Sequence, residues 1–265
     1  MERARLKNII ILILLLLNAF LLGTLLLRQY SAERARLQVA EEISALFAAD
    51  GIALPADAVP ADNAPAGRVP VRSTEEDLRL AAFLLGDGLT ARDEGGGIYT
   101  CRSSIGEALF RSTGSFEIRF TAGLADPGSV IRDFCREFGY TEPVLTNFTS
   151  GTVDAVQSLN NIPVVDATVT FRAENGLLIG IAGTHLPDGG SETDDAAFSA
   201  ATALTLFLRN RRDSGAVVSA VTEVWPCYRL QTTSASPMTL SPAWGIVADT
   251  GTYYVNCITG SVTQQ

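Results

Sequence analysis

His185 is the only histidine in a chain of 265 residues. Any Ser-His-Asp or Cys-His constellation would have to use it. It stands at the end of an expected strand, beside Pro187 and Gly189, a setting that suits a surface residue better than a general base. The cysteines, Cys101, Cys135, Cys227 and Cys257, are too far apart for a C-x-x-C metal or redox motif. With one histidine, they make no zinc or iron ligand set. Outside the cytoplasm they could form two disulfides in three connectivities; the alternative is four buried free thiols. Cys227 and Cys257 are the candidate pair, because they fall on strands expected to be neighbours. Paired carboxylates occur in "STEED" and "TDD", but both stretches open expected helices, where acidic groups meet the positive end of the dipole. "DEGGGIY" reads as a turn and not as a phosphate cradle. "NFT" at 147–149 fits a glycosylation pattern that also arises by chance. Trp225 and Trp244 read as core or sheet packing before ligand platform. No catalytic residue, cofactor or metal is expected.

The elements that would position these groups begin with an apolar run. Ile9 to Leu27 is broken only by Asn18, Gly23 and Thr24. As a helix it spans roughly 28 Å, close to the roughly 30 Å of a bilayer core. The run is long for a signal peptide, and "RQYSAER" after it holds no A-x-A site. The expectation is an uncleaved single span over 1–28, N-terminus inside and the rest extracytoplasmic. Asn18 is the odd residue in it. Lipid gives helices no hydrophobic drive to associate, so an amide can supply a contact. Asn18, Leu14, Leu21, Leu22 and Leu25 are the expected partner-binding face; the alternative is that one amide is simply tolerated. The formal net charge of the chain is −9, which gives no electrostatic reason to bind nucleic acid.

Residues 29–72 read as a helix ending at Gly51, with Val39, Ile43, Leu46 and Phe47 on one face. A tether follows, with Pro55, Pro60, Pro65 and Pro70 at intervals of five. "STEEDLRLAAFLLGDG" predicts a helix capped at Ser73 or Thr74 and stopped by Gly86. "DPGSVIRDFCREFGY" predicts a second, capped by Asp126 with Pro127 first. A third is expected at about 193–212, capped at Asp194 or beside it, with Phe198, Ala201, Leu204, Leu206 and Leu208 facing inward. Strands follow each helix, and "ENG" and "DTG" mark hairpins. The order of helix, then several strands, repeats at least twice. The expected class is α+β: an N-terminal transmembrane helix, then antiparallel sheets each packed by a helix, in domains 73–188 and 189–265.

Three stretches carry a resemblance. "KNIIILILLLLNAFLL" resembles the N-terminal anchor of YycI-type regulatory proteins. "NNIPVVDATVTFRAENGLLIG" resembles a strand segment of the same family. "SPAWGIVADTGTYYVNCITGSV" resembles its final hairpin and, more loosely, a PepSY-like module. None is a catalytic motif. The resemblance implies a non-enzymatic, membrane-anchored regulator that acts with a YycH-like partner on a sensor histidine kinase, with contact through the kinase's transmembrane region. Other function classes are an extracytoplasmic PepSY-like binding or inhibitor module and an envelope-associated hydrolase using an acidic pair. The proline-spaced tether and the cysteines depart from the family pattern.

Overall fold

The computed structural model of the protein describes residues 2–60, 64–145, 148–187, 189–193, 195–231 and 238–265; within the first helix the side chains of 2–13, 19 and 25–33 are outside it. The chain opens with α1 (Glu2–Ala49). Strand β1 (Arg68–Pro70) and helix α2 (Thr74–Leu85) follow. The Ser73 hydroxyl accepts from the Glu75 N–H, and Gly86 ends α2 at φ 76. Four strands come next: β2 (Thr90–Gly95), β3 (Ile98–Arg102), β4 (Gly106–Arg111) and β5 (Ser115–Ala125). Helix α3 (Pro127–Glu137) starts on Pro127, with the Asp126 carboxylate accepting from the Ser129 N–H. Strands β6 (Gly151–Leu159), β7 (Ile162–Glu174), β8 (Leu177–Thr184) and β9 (Gly190–Glu192) precede α4 (Ala200–Ser214). The chain closes with β10 (Val221–Gln231), β11 (Thr239–Ala248), β12 (Gly251–Asn256) and β13 (Val262–Gln264).

The expected fold class needs correction. The strands form one 13-stranded mixed sheet, in the order β13-β12-β11-β10-β7-β8-β5-β4-β3-β2, with β6 on β7, β1 on β11 and β9 on β1. Separate sheets, each packed by a helix, would expose two extra rows of unpaired backbone groups. Here β7 and β10 meet instead, in the only parallel pairing among the described strands, at Tyr228↔Val164. The N-terminal transmembrane helix is also corrected. The run at 9–27 is part of one 48-residue helix, and among the described residues no helix is long and apolar enough to cross a membrane.

The tether is built into the sheet. Ile52 and Leu54 are buried, Ala53 donates its N–H to Ser219 O, and β1 pairs with β9 and β11. The third helix begins at Ser199, whose hydroxyl caps the Thr202 N–H; Asp194 lies outside the described residues. Its buried residues are Ala200, Ala203, Leu204, Phe207 and Leu208. Leu204 and Leu208 were expected inside and Phe207 was not, while Phe198 precedes the helix.

Helices pack on one face. Leu80 and Leu84 of α2, with Ile131 and Phe134 of α3, cover Phe116, Ile118, Val169, Phe171 and Ile181. Phe47 at the end of α1 and Leu204 and Phe207 of α4 cover Trp244, Ile246 and Val255. A third cluster, with Val164, Ala167, Tyr228 and Leu240, spans the join. Along β7 the buried residues are Val164, Ala167, Val169, Phe171 and Ala173, so the alternation slips by one before Ala167. The register with β6 moves there from Ser158↔Pro163 to Val156↔Thr168, the signature of a bulge. The bulge keeps the core side chains of both halves on the helix side. Pro163, Val165, Asp154, Val156 and Trp225 fall on the other face.

Candidate functional site

The expected partner-binding residues lie along α1. The Asn18 side-chain N–H donates to Leu14 O at 2.9 Å, one turn back in its own helix. That bond uses one of two amide protons, and among the described residues nothing donates to the amide oxygen. Leu14, Leu21 and Leu22 are exposed; the Leu25 side chain lies outside the described residues. Cys227 and Cys257 are free, buried thiols, as are Cys101 and Cys135. Cys227 packs with Ala243 and Tyr254, and Cys257 joins the core under α4. Burial pushes the Cys135, Cys227 and Cys257 thiols up to about 12, so they are protonated and unreactive at neutral pH. In "STEED", Asp77 is bonded by Arg72, yet burial raises its carboxyl. Asn147 of "NFT" lies outside the described residues.

The open face carries a cleft of about 370 Å³ where β6 and β7 approach β10 and β12. Its walls are Val156, Pro163, Val165, Trp225 and Tyr254, and Thr141, Glu142 and Pro143 close one side with Asp154 of β6. The position of Trp225 follows from its cross-strand neighbour. Trp225 pairs with Gly245 on β11, and a Cβ on Gly245 would sit 2.6 Å from the indole. A side chain there would displace the ring, so the glycine lets the indole lie against backbone. Tyr254 meets Trp225 edge to face at 6.1 Å, a favoured aromatic geometry. The Arg229 guanidinium stands 4.7 Å from the Tyr254 ring centre and bonds Asp166 at 2.7 Å. Asp154 accepts from the Thr170 hydroxyl at 2.6 Å. The cleft is thus an aromatic and proline-lined trough with carboxylates at its rim. Local sequence does not distinguish the two tryptophans. Trp244 is fully buried and donates to Phe198 O; Trp225 is half-buried and lines the cleft. The signal that separates them is the glycine opposite Trp225, which is visible only once the register is known.

His185 follows β8 and belongs to a joint, not to the cleft. The Gln157 side chain takes the Leu186 N–H and gives its own N–H to Leu186 O, both at 2.8 Å. The Tyr140 hydroxyl donates to Thr184 O at 2.7 Å. His185 Nδ1 lies 3.3 Å from the Gln157 amide nitrogen, and the ring meets Phe138 edge-on at 5.5 Å. Burial first, and the Arg79 charge second, lower its pKa to about 4. A neutral imidazole whose Nδ1 accepts a bond is a packing element here.

No protein-family model matches the chain, and no curated protein matches it significantly. Two of the solved structures that match the chain are the following. An uncharacterized protein from Eubacterium rectale ATCC 33656 shares 9% identity at a TM-score of 0.45, over 77% of this chain and 86% of that one. The Bacillus megaterium YpeB C-terminal domain shares 12% identity at a TM-score of 0.38, over 74% of this chain and 98% of that one.

Chemically, the cleft presents apolar walls and a charged rim. Its aromatic faces and prolines offer apolar area at low entropy loss. The rim carboxylates add a charge preference. The lowered His185 and the raised thiols are held in their neutral forms.

Proposed function

We propose that this protein is a non-enzymatic regulatory protein that binds a partner protein on the open face of its sheet. The partner is a sensor histidine kinase of a two-component system, met outside the cytoplasm, and the binding module is PepSY-like. The observation that carries protein binding is the cleft lined by Pro163, Val165, Trp225 and Tyr254. The resemblance of three stretches to YycI-type proteins supports the kinase as partner. Asn18, Leu14, Leu21 and Leu22 supply a second contact, for an apolar helix of the kinase or of a YycH-like partner, through the Asn18 amide oxygen, to which none of the described residues donates. The test is reconstitution of the kinase in vesicles with the full chain. The expected result is a stable complex and a changed autophosphorylation rate. Unchanged rates together with no complex would refute the proposal.

A further inference from the structure

We infer that the cleft on the open face takes a basic segment of the partner protein, with one lysine or arginine side chain lying across Trp225 and Tyr254 toward Glu142 and Asp154. The inference rests on the protein-binding reading above and adds the chemistry of the occupant. Four observations carry it.

The cleft is the right kind of hole. At about 370 Å³ it holds one long side chain and part of the adjoining backbone, not a large cofactor. Its walls are apolar and aromatic, so they accept the methylene stem of a lysine or arginine as well as they accept a leucine. The ends differ. Glu142 and Asp154 line the β6 side, and no cation lines this cleft among the described residues. Among the described residues Asp154 is bonded only by the neutral Thr170 hydroxyl and pairs with no cation.

The same face already holds a cation in this manner. Arg229 lies over Tyr254 and bonds Asp166, on the same strand as Trp225. Guanidinium over a tyrosine ring with a carboxylate beyond it is the arrangement inferred for the partner's side chain, and here the fold shows that this face supports it. The chain is also acidic overall, with a formal net charge of −9, which favours approach of a basic segment and disfavours an acidic one.

The experiment uses the full chain and two acetylated pentapeptides, Gly-Val-Lys-Val-Gly and the same peptide with norleucine for lysine. Binding is followed by tryptophan emission. Trp225 lines the cleft and Trp244 is fully buried away from it, so a peptide-dependent shift reports the cleft. The lysine peptide should bind roughly tenfold tighter than the norleucine peptide, the size expected of one cation–π contact plus one exposed ion pair. Glu142→Gln with Asp154→Asn should shrink that preference to the part the aromatic contact supplies, roughly threefold, while leaving the melting temperature unchanged, because asparagine can still accept from Thr170. Raising salt should shrink the preference in the parent alone. Equal binding of the two peptides overturns the inference and leaves the protein-binding reading standing. So does failure of both peptides to bind while the kinase complex still forms. If neither peptide binds and no kinase complex forms, both readings fall.

Discussion

At the residue scale, identical residue types play opposite parts because of what faces them across the sheet. Trp225 and Trp244 stand on neighbouring strands, β10 and β11, and nothing in their local sequence ranks one above the other. Gly245 opposite Trp225 decides the matter. Gly245→Ala should therefore rotate the indole out of its place, since a Cβ would sit 2.6 Å from it. The indole is the far end of a side chain and can swing, so the expected loss of stability is small, about 1 kcal/mol or less. Emission and peptide binding should change clearly. A variant with parental emission would mean that Trp225 does not rest on Gly245. His185 makes a second residue-scale prediction. Its folded pKa of about 4 lies below the ordinary 6.5. Between those values the unfolded chain takes up a proton that the folded chain refuses, so stability is complete above about pH 6.5 and falls toward pH 4. The loss should reach about 2–3 kcal/mol. His185→Asn keeps an acceptor for the Gln157 amide and cannot titrate. Urea midpoints at pH 7 and pH 4.5 should lie closer together in the variant, and an unchanged gap would place the acid sensitivity elsewhere.

At the element scale, capping chemistry was the most legible part of the chain. Ser73 and Gly86 bound α2, and Asp126 and Pro127 open α3, where the sequence placed them. In α4 the sequence offered several caps in a row, "SETDDAAFS", and local chemistry cannot rank them. Tertiary contacts do: Phe198 gives its N–H to Cys257 O and takes the Trp244 indole N–H, which pins the residue before Ser199 outside the helix. Strand β2 carried no signal, because all six of its residues are exposed and no alternation marks them. Two substitutions test α4. Ser199→Ala removes a cap and should lower stability by about 1 kcal/mol. Leu204→Asp places an uncompensated charge in the α4 core, where Leu204 has no exposure, and should lower it by several kcal/mol or prevent folding. Thermal melting checks both, and equal, small effects would mean that α4 does not pack on the sheet.

At the scale of the whole molecule, the repeat of helix and strands was readable but its assembly was not. Hairpin signals such as "ENG" report pairing between neighbours in sequence, and β7 and β8 join there through Asn175 and Gly176 at positive φ. They say nothing of the parallel meeting of β7 with β10, which comes from residues 64 apart, Val164 and Tyr228. The cleft depends on that meeting, so it could not be read from sequence. The N-terminal segment shows the same limit. Regular prolines gave 53–72 the look of a tether, because spacing reveals where helix is forbidden and not where backbone is paired. The structure ties this segment down at both ends, through β1 paired with β9 and β11 after it and through the end of α1 before it. Phe47 is fully buried and stacks on Phe207 at 6.2 Å, and Asp50 accepts two bonds from Arg212, at 2.6 and 2.7 Å. Phe47→Ala should then destabilise the chain by about 3–5 kcal/mol, as a large core truncation does. The effect should be felt in the half of the sheet under α4, where Trp244 and Tyr253 share its cluster. Hydrogen exchange resolves this: amides of β11 and β12 should lose protection and those of β3 and β4 should keep it. If the end of α1 did not pack on the sheet, exchange throughout the sheet would be untouched by the loss of Phe47, and the N-terminal helix would have no mechanical hold on the sheet whose open face carries the cleft.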